Sequence, residues 1–300
     1  MRTAPAAGLA FVGLTALALA GCGGQAPGGA AEGVTGGSAG GSVSVLAAFY
    51  PYEFVAARVG GDHVAVRSLT DPGVEPHDVE LTPRQVREVA DADLVVYEAG
   101  FQPAIDDAIR QLQPATTLDA TTVVPLEDGG DPHLWLDPSK LAKVATAVGG
   151  VLAEADPAHA DDYRAHAATL ADELTALDRE LADGLSRCER REFVTSHAAF
   201  GYLARRYGLE QVPISGLAPE AEPTPARIRE VATLVEARGV TTIFYETLVS
   251  PKVAETLAAD LGVRTAVLDP VEGLAAGSSG DYLSVMRDNL AALRTANGCR

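Results

Sequence analysis

The chain has 300 residues, of which 47% are hydrophobic, and its 23 lysines and arginines against 41 acidic residues give a formal net charge of −18. This length allows one or two domains with substantial apolar cores. The acidic balance argues against nucleic acid as a partner, because nucleic-acid binding needs clustered basic residues. The same charge favours solubility and a mild enrichment of cations near the surface.

The first 42 residues have the pattern of an export signal followed by a tether. Arg2 precedes an apolar run over residues 10–20, which is too short to span a bilayer as a mature helix. The run ends at Cys22 in the sequence Leu-Ala-Gly-Cys, which resembles the lipobox of bacterial lipoprotein signals. This resemblance implies a signal peptide over residues 1–21 and a lipid-modified Cys22; an ordinary secretory signal with a stray cysteine is the alternative. Residues 22–42 are mostly small or polar, so we expect a flexible tether.

Export also determines the interpretation of the other two cysteines. Cys188 and Cys299 then lie in an oxidising compartment, where an even pair usually forms a disulfide. Two independent buried thiols are the alternative.

From residue 43 onward, strand-like and helix-like segments alternate. Strands are predicted over residues 43–48, 64–69, 94–97, 193–196, 211–214, 242–245 and 264–268. Helices are predicted over residues 52–59, 138–153, 198–207, 226–237 and 281–296, with further helices starting at residues 83 and 251. The alternation predicts an α/β fold of two lobes with mostly parallel sheets.

One predicted helix is longer than the others. Leucines recur at helical spacing up to Leu185, and no helix breaker lies between Pro157 and Gly184, which predicts a helix of about 28 residues. Such a helix suits a rigid connection between two lobes. We expect an N-terminal lobe over residues 43–156, a linking helix over 157–187 and a C-terminal lobe over 188–300; His159 and His166 on this helix are expected to be solvated surface residues.

Four side chains are candidates for a ligand site. His133 lies between two Asp-Pro steps, each of which disfavours helix at its aspartate and fixes a turn. His77 lies in a comparable loop, and His197 and Asp269 directly follow predicted strands. Because ligands bind beyond the carboxyl ends of parallel strands, we expect these residues to face one cleft between the lobes. Taken singly, each has a plain explanation, since Asp269 could be a turn aspartate and His197 a helix cap.

The types of these side chains indicate a metal. Imidazole nitrogens with one carboxylate suit Zn²⁺ best among the common divalent ions. Four protein ligands leave no open coordination position, which favours carriage over catalysis. Glu246 follows another predicted strand, where it either orients a ligand histidine or pairs with an arginine.

Four motifs in this order resemble the zinc/manganese-type solute-binding proteins of ABC importers. They are Glu75-Pro76-His77-Asp78, Asp131-Pro132-His133-Leu134-Trp135-Leu136-Asp137-Pro138, Thr195-Ser196-His197-Ala198-Ala199-Phe200 and Leu268-Asp269-Pro270. The resemblance extends over nearly everything from residue 43 to the C-terminus. It implies two lobes joined by a rigid helix, a metal ion held between them by His77, His133, His197 and Asp269, and delivery to an integral membrane permease with its ATPase.

The resemblance also bears on the choice of metal. Family members with a histidine as the third ligand resemble zinc-selective proteins and those with a glutamate resemble manganese-selective ones, so His197 implies Zn²⁺. This chain lacks the histidine-rich loop that some zinc members have between the first two ligands, since residues 116–130 contain no histidine.

The sequence therefore predicts a zinc-binding protein that is extracytoplasmic, monomeric, not an enzyme, and lipid-anchored at the cell surface or in the periplasm. One alternative is the same fold with Mn²⁺, Fe²⁺ or an organic chelate as cargo. The other is a secreted zinc hydrolase, which needs three ligands, an open position for water and a general base. The chain has no His-Glu-x-x-His run, and Glu246 is the one candidate base.

Overall fold

The computed structural model describes residues 42–127 and 129–300 of the chain. The predicted signal peptide and Cys22 lie outside the described residues. The described residues all belong to one compact unit.

Two four-stranded sheets, in which all neighbouring strands pair in parallel, form the framework of this unit. The first has the order β2-β1-β3-β4 and the second the order β6-β5-β7-β8, with strands β1 (Val43–Ala47), β2 (Val64–Ser68), β3 (Leu94–Tyr97), β4 (Thr117–Asp119), β5 (Glu192–Thr195), β6 (Glu210–Pro213), β7 (Thr242–Tyr245) and β8 (Arg264–Val267). The central strands are almost wholly buried, which explains why they read as continuous apolar runs. The predicted α/β fold with parallel sheets is confirmed.

Helices connect the strands of both sheets. They are α1 (Tyr50–Gly60), α2 (Pro83–Asp91), α3 (Pro103–Leu112), α4 (Ala120–Val123), α5 (Pro138–Ala155), α6 (Ala160–Leu185), α7 (Gly201–Tyr207), α8 (Pro225–Arg238), α9 (Lys252–Leu261) and α10 (Tyr282–Asn297). Side-chain caps define several of their starts. Thr82 and Gln85 form a capping box at α2, and Asp137 accepts a hydrogen bond from the backbone N–H of Ser139 at α5.

Helix α6 is the long helix that separates the two sheets along the sequence. It has 26 residues and starts at Ala160, because Pro157–His159 form a separate 3-10 turn. The first sheet precedes it and the second follows it; the exact boundaries of the two lobes stay a prediction. His159 is 41% exposed at its side chain, as expected for a surface residue. His166 is instead half-buried, with its Nδ1 atom 3.0 Å from the carbonyl oxygen of Val59.

A large apolar core joins the first sheet to helices α5, α6, α7 and α10, and a smaller one lies between the second sheet and helices α8 and α9. Trp135 connects the two halves of the chain within the large core. It is fully buried, and its Nε1–H donates to the carbonyl oxygen of Pro270 at 2.8 Å. The Tyr282 hydroxyl donates to the carbonyl oxygen of Trp135 at 2.5 Å. The loop that carries His133 is thereby held against the C-terminal half.

Cys188 and Cys299 form a disulfide that closes a sequence separation of 111 residues, as predicted. It ties the end of the chain to the segment between α6 and β5. Within residues 42–127 and 129–300, we find no helix with the length and apolar character needed to cross a membrane.

Candidate metal centre

Four side chains from distant parts of the chain converge at one point: His77, His133, His197 and Glu272. Their ligand atoms all lie within 4.8 Å of one another. Glu272 Oε1 is 3.4 Å from Nε2 of His77, 3.1 Å from Nε2 of His133 and 3.5 Å from Nε2 of His197. Four ligands at ~2.0–2.2 Å from a tetrahedral zinc ion stand roughly 3.3–3.6 Å apart. The three separations from Glu272 Oε1 are close to that spacing.

The four residues lie at the carboxyl-end side of the two parallel sheets. His77 lies in the loop after β2, and His133 immediately precedes a buried 3-10 turn, Leu134–Leu136. His197 follows β5 by two residues, and Glu272 lies in the loop after β8. Strand ends of this kind are where open α/β sheets bind ligands. The structure thus brings three of the predicted ligands together. Two loops from each half of the chain contribute to the centre.

A carboxylate orients His133. Asp131 Oδ1 accepts hydrogen bonds from the ring Nδ1 of His133 at 2.8 Å and from its backbone N–H at 3.1 Å. With Nδ1 engaged as a donor, Nε2 faces the other candidate ligands, which is the arrangement typical of metal-binding histidines. His133 is fully buried, so its ring has no alternative partner in solvent.

His197 is oriented in the same way by Glu246. Glu246 Oε1 lies 2.6 Å from Nδ1 of His197 and also accepts a hydrogen bond from the Ser196 hydroxyl at 2.6 Å. This geometry fits the first of the two predicted roles for Glu246, orientation of a ligand histidine. His77 is held differently, because its backbone N–H lies 3.1 Å from both carboxylate oxygens of Glu75.

The charges in the centre reinforce one another. Burial opposes ionisation of Glu272, but hydrogen bonds from the three histidines outweigh it and hold the pKa of this carboxyl well below its ordinary value. Burial likewise opposes protonation of His197, yet hydrogen bonds with Glu246 and Glu272 raise its pKa to about 10. The centre is therefore built around a buried anion that attracts positive charge, whether carried by protons or by a metal ion.

Asp269, the fourth ligand in our sequence interpretation, is not in this group. Its Oδ2 accepts a hydrogen bond from the Thr247 hydroxyl at 2.7 Å, and its Oδ1 accepts one from the backbone N–H of Val271 at 2.8 Å. Oδ1 thus serves a local turn, the alternative that the sequence left open, and Oδ2 binds a residue in the loop after β7. The correction is that Glu272, three residues further on, supplies the carboxylate beside the histidines.

Two residues that shape the centre, Glu272 and Asp131, are not among the predicted ligands or their predicted partners. Glu272 is a second acid in the loop after β8, and its position in the sequence does not distinguish it from Asp269 as a metal ligand. Asp131 precedes His133 by two residues, the spacing at which an aspartate side chain accepts from the backbone in an Asx turn. The motif from Asp131 to Pro138 therefore carries the signal for this contact.

Comparison with known proteins assigns the chain to a family. Residues 45–296 match the family model described as zinc-uptake complex component A, periplasmic, or ZnuA. The zinc-binding protein AdcA of Streptococcus pyogenes serotype M6 is 36% identical over 290 residues, which covers 85% of this chain and 56% of AdcA. This chain therefore spans about half the length of such relatives. The high-affinity zinc uptake system protein ZnuA of Bacillus subtilis is 32% identical over 313 residues, which covers 96% of this chain and 96% of that protein.

Solved structures give the same result. The Zn(II)-bound ZnuA-like domain of Streptococcus pneumoniae AdcA matches with a TM-score of 0.77 and 36% identity, covering 86% of this chain and 99% of that one. The laminin-binding protein Lmb of Streptococcus agalactiae matches with a TM-score of 0.79 and 33% identity, covering 85% and 99%. On the family match, the sequence relatives and the shared fold, this chain belongs to the ZnuA family of zinc-uptake complex components.

Proposed function

We propose that this protein captures one Zn²⁺ ion between its two halves and delivers it to the permease of an ABC importer, which works with its own ATPase. The observation that carries the proposal is the convergence of three imidazole Nε2 atoms and one carboxylate oxygen at separations suited to a tetrahedral zinc ion. The ligands in this proposal are His77, His133, His197 and Glu272.

The ligand types favour zinc over manganese or iron. Three neutral imidazoles and one carboxylate bind Zn²⁺ more tightly than Mn²⁺ or Fe²⁺ by the Irving–Williams order, and Mn²⁺ prefers more oxygen ligands. His133 and His197 are fully buried, which favours a bare ion over an organic chelate as cargo. The relatives named as zinc-binding and zinc-uptake proteins support the same choice.

Carriage fits this centre better than hydrolysis. Four protein ligands complete a tetrahedron and leave no position for a reactive water molecule. Asp131 and Glu246 are each bound to the Nδ1 atom of a histidine and are not free to act as a general base. Glu75, whose Oε1 lies 3.9 Å from Nε2 of His77, accepts from the backbone N–H of that histidine. We therefore propose a binding protein without enzymatic activity.

We further propose that the mature protein is a monomer outside the cytoplasmic membrane, anchored by a lipid on Cys22. The lipobox-like sequence before Cys22 supports this, and a Streptococcus pneumoniae relative is named a zinc-binding lipoprotein. Cys22→Ser is expected to release the protein from membranes, because the acidic chain has no polybasic segment to replace the lipid. Cell fractionation tests this, and retention of the variant in the membrane fraction would contradict it.

The metal assignment is tested by metal content and competition. Protein purified without chelators should carry one zinc ion per chain, and Mn²⁺ at comparable concentration should not displace it in a calorimetric titration. Equal affinity for the two metals, or binding of zinc at other than one ion per chain, would refute the proposed centre.

A further inference from the structure

A cavity of about 170 Å³ lies beside the metal centre, with Glu272 in its wall. Its lining extends from Asp71 and Pro72, which are exposed, to Glu272, which is 1% exposed. The cavity is large enough for several water molecules. It connects solvent with one of the four residues of the centre.

Three acidic residues and no basic ones are among the residues that line the cavity. Glu53 and Asp71 share the lining with Glu272, and no lysine, arginine or histidine contributes to it. Burial alone raises the pKa of Glu53, so within the described residues no ion pair stabilises that carboxylate. All three contacts between Glu272 and the histidines use Oε1, which leaves Oε2 without a hydrogen bond in the part of the chain that the structure describes. The cavity therefore carries an excess of negative charge beside the centre, and we call it the passage.

The walls of the passage come from both halves of the molecule. Residues 70–72 follow β2 and residues 272–274 follow β8. The backbone N–H of Gly73 donates to the carbonyl oxygen of Leu274 at 2.9 Å and ties these walls together. Movement of the two halves relative to each other would therefore widen or narrow the passage.

His77 offers a second approach to the centre, since its side chain is 11% exposed, whereas those of His133 and His197 are not exposed. The carboxylate on that side is Glu75. Both of its oxygens already lie 3.1 Å from the backbone N–H of His77, so it serves the local turn. The passage beside Glu272 is the approach that retains unpaired carboxylates.

We propose that the divalent cation enters and leaves the metal centre through this passage, with Glu53 and Asp71 attracting it from solvent. The inference rests on the proposed function. Negative charge in a narrow cleft with low-dielectric walls concentrates cations and raises association rates by roughly ten- to a thousandfold. The contribution of the exposed Asp71 is sensitive to salt, because charges in solvent are screened over about 10 Å at 0.1 M ionic strength.

The test is the rate of Zn²⁺ association with the full chain, measured by stopped flow in the presence of a fluorescent zinc indicator. The double variant Glu53→Gln/Asp71→Asn should associate about tenfold more slowly at low ionic strength, and the difference should shrink at high salt. It should still bind one zinc ion per chain. The matched control is Glu220→Gln/Glu222→Gln, which removes two carboxylates from a different cavity of about 230 Å³ that none of the four ligands lines. The control should associate at the rate of the unmodified protein.

Asp71→Lys provides a second variant at an exposed position, where misfolding is not expected, and should slow association more than Asp71→Asn does. Unchanged association in the double variant, equal slowing in the control, or an effect confined to the dissociation rate would overturn the inference. Failure of the unmodified chain to bind zinc would overturn the proposed function as well, so the two failures are distinguishable.

Discussion

The two buried histidines of the centre are supported in different ways. His133, from the N-terminal half, is oriented by Asp131, whose second oxygen lies 3.5 Å from Arg205 of the C-terminal half. His197, from the C-terminal half, is oriented by Glu246, which also binds the serine next to His197 in sequence. One histidine therefore depends on the contact between the halves, whereas the other is supported within its own half.

This difference shows how metal binding and the packing of the halves are connected. The loop of His133 also carries Trp135, which donates to Pro270 in the C-terminal half. A substitution at the contact between the halves should therefore affect metal binding more through His133 than through His197. Conversely, a metal ion bound to both histidines stabilises the state in which the halves are in contact.

The largest effect is expected at Glu272, the carboxylate that belongs to the C-terminal half. Glu272→Gln should weaken zinc binding by more than about a hundredfold, since it removes the one charged ligand of the centre. Asp269→Asn should weaken it by about threefold or less, because asparagine retains an oxygen that can accept from Val271. Calorimetric titration of both variants compares the two positions directly. A larger loss at Asp269 than at Glu272 would restore the ligand set that the sequence motifs imply.

The fold was largely predictable because its strands are apolar runs bounded by turn signals. The prediction over residues 94–97 coincides with β3, and that over 242–245 coincides with β7. Strand β4 was missed: it has three residues, Thr117–Asp119, and pairs only with β3, so it has neither the length nor the burial that marks a strand in sequence. Helix α3 was missed as well, although its amphipathic pattern is clear in the structure.

The histidines of the site were predictable for a related reason, since His197 follows a strand and His77 and His133 each follow an acidic residue and a proline. The fourth ligand position was not. Asp269 directly follows the last predicted strand, but the backbone then turns through Val271, whose φ is 58°. A β-branched residue rarely adopts this left-handed region, so no sequence pattern announces the turn. That turn brings Glu272, rather than Asp269, to the histidines.

A substitution at the contact between the halves should break the support of His133 alone. Gly201 starts α7, and a methyl group at this position would clash with Asp131 Oδ2 and approach Arg205 Nη1 to 3.0 Å. Gly201→Ala should therefore displace Asp131, tilt the ring of His133 and weaken zinc binding by roughly 10–100-fold. Zinc titration of the variant measures the loss.

The matched control is Gly150→Ala in α5, where an added methyl group meets nothing within 4 Å. It should leave zinc affinity unchanged and stabilise its helix slightly. If Gly201→Ala acts through Asp131, it should add little to the loss caused by Asp131→Ala in a double-mutant cycle. Additive losses would show that Gly201 acts by another route.

A smaller change is expected in metal preference when His197 becomes an oxygen ligand. His197→Glu should lower the ratio of zinc to manganese affinity by about tenfold, because Mn²⁺ gains an oxygen ligand while Zn²⁺ loses an imidazole. Glu246 then faces a second carboxylate, so the variant is best combined with Glu246→Gln to remove the repulsion. Competition between the two metals measures the ratio, and an unchanged ratio would mean that this position does not select the metal.

The smallest effect concerns the stability of protein stripped of metal by a chelator, as a function of pH. Burial lowers the pKa of His197, but its hydrogen bonds with Glu246 and Glu272 raise it to about 10 in the folded state. A pKa raised on folding contributes stability that is fully present below the unfolded value of about 6.5 and is lost as pH rises through about 10. The melting temperature should therefore fall by a few degrees between pH 7 and pH 10, because a loss of about 1 kcal/mol lowers the melting temperature by 2–4 °C in a chain of this size. The fall should be smaller in His197→Gln.

Glu272 acts in the opposite direction at the acid end. Burial opposes its ionisation, yet the histidines hold its pKa well below the ordinary value, so its contribution is present above about pH 4.5 and is lost as pH falls through the folded value. Calorimetric scans at several pH values compare the unmodified chain with His197→Gln and with Glu272→Gln. They separate the contribution that His197 loses at alkaline pH from the contribution that Glu272 loses at acid pH. If the melting temperature falls equally with rising pH in the unmodified chain and in His197→Gln, this histidine is not protonated when metal is removed. In that case the C-terminal half would hold a neutral imidazole ready for zinc. His133, whose pKa is raised against the effect of burial by hydrogen bonds with Asp131 and Glu272, would be the buried histidine that releases a proton on binding.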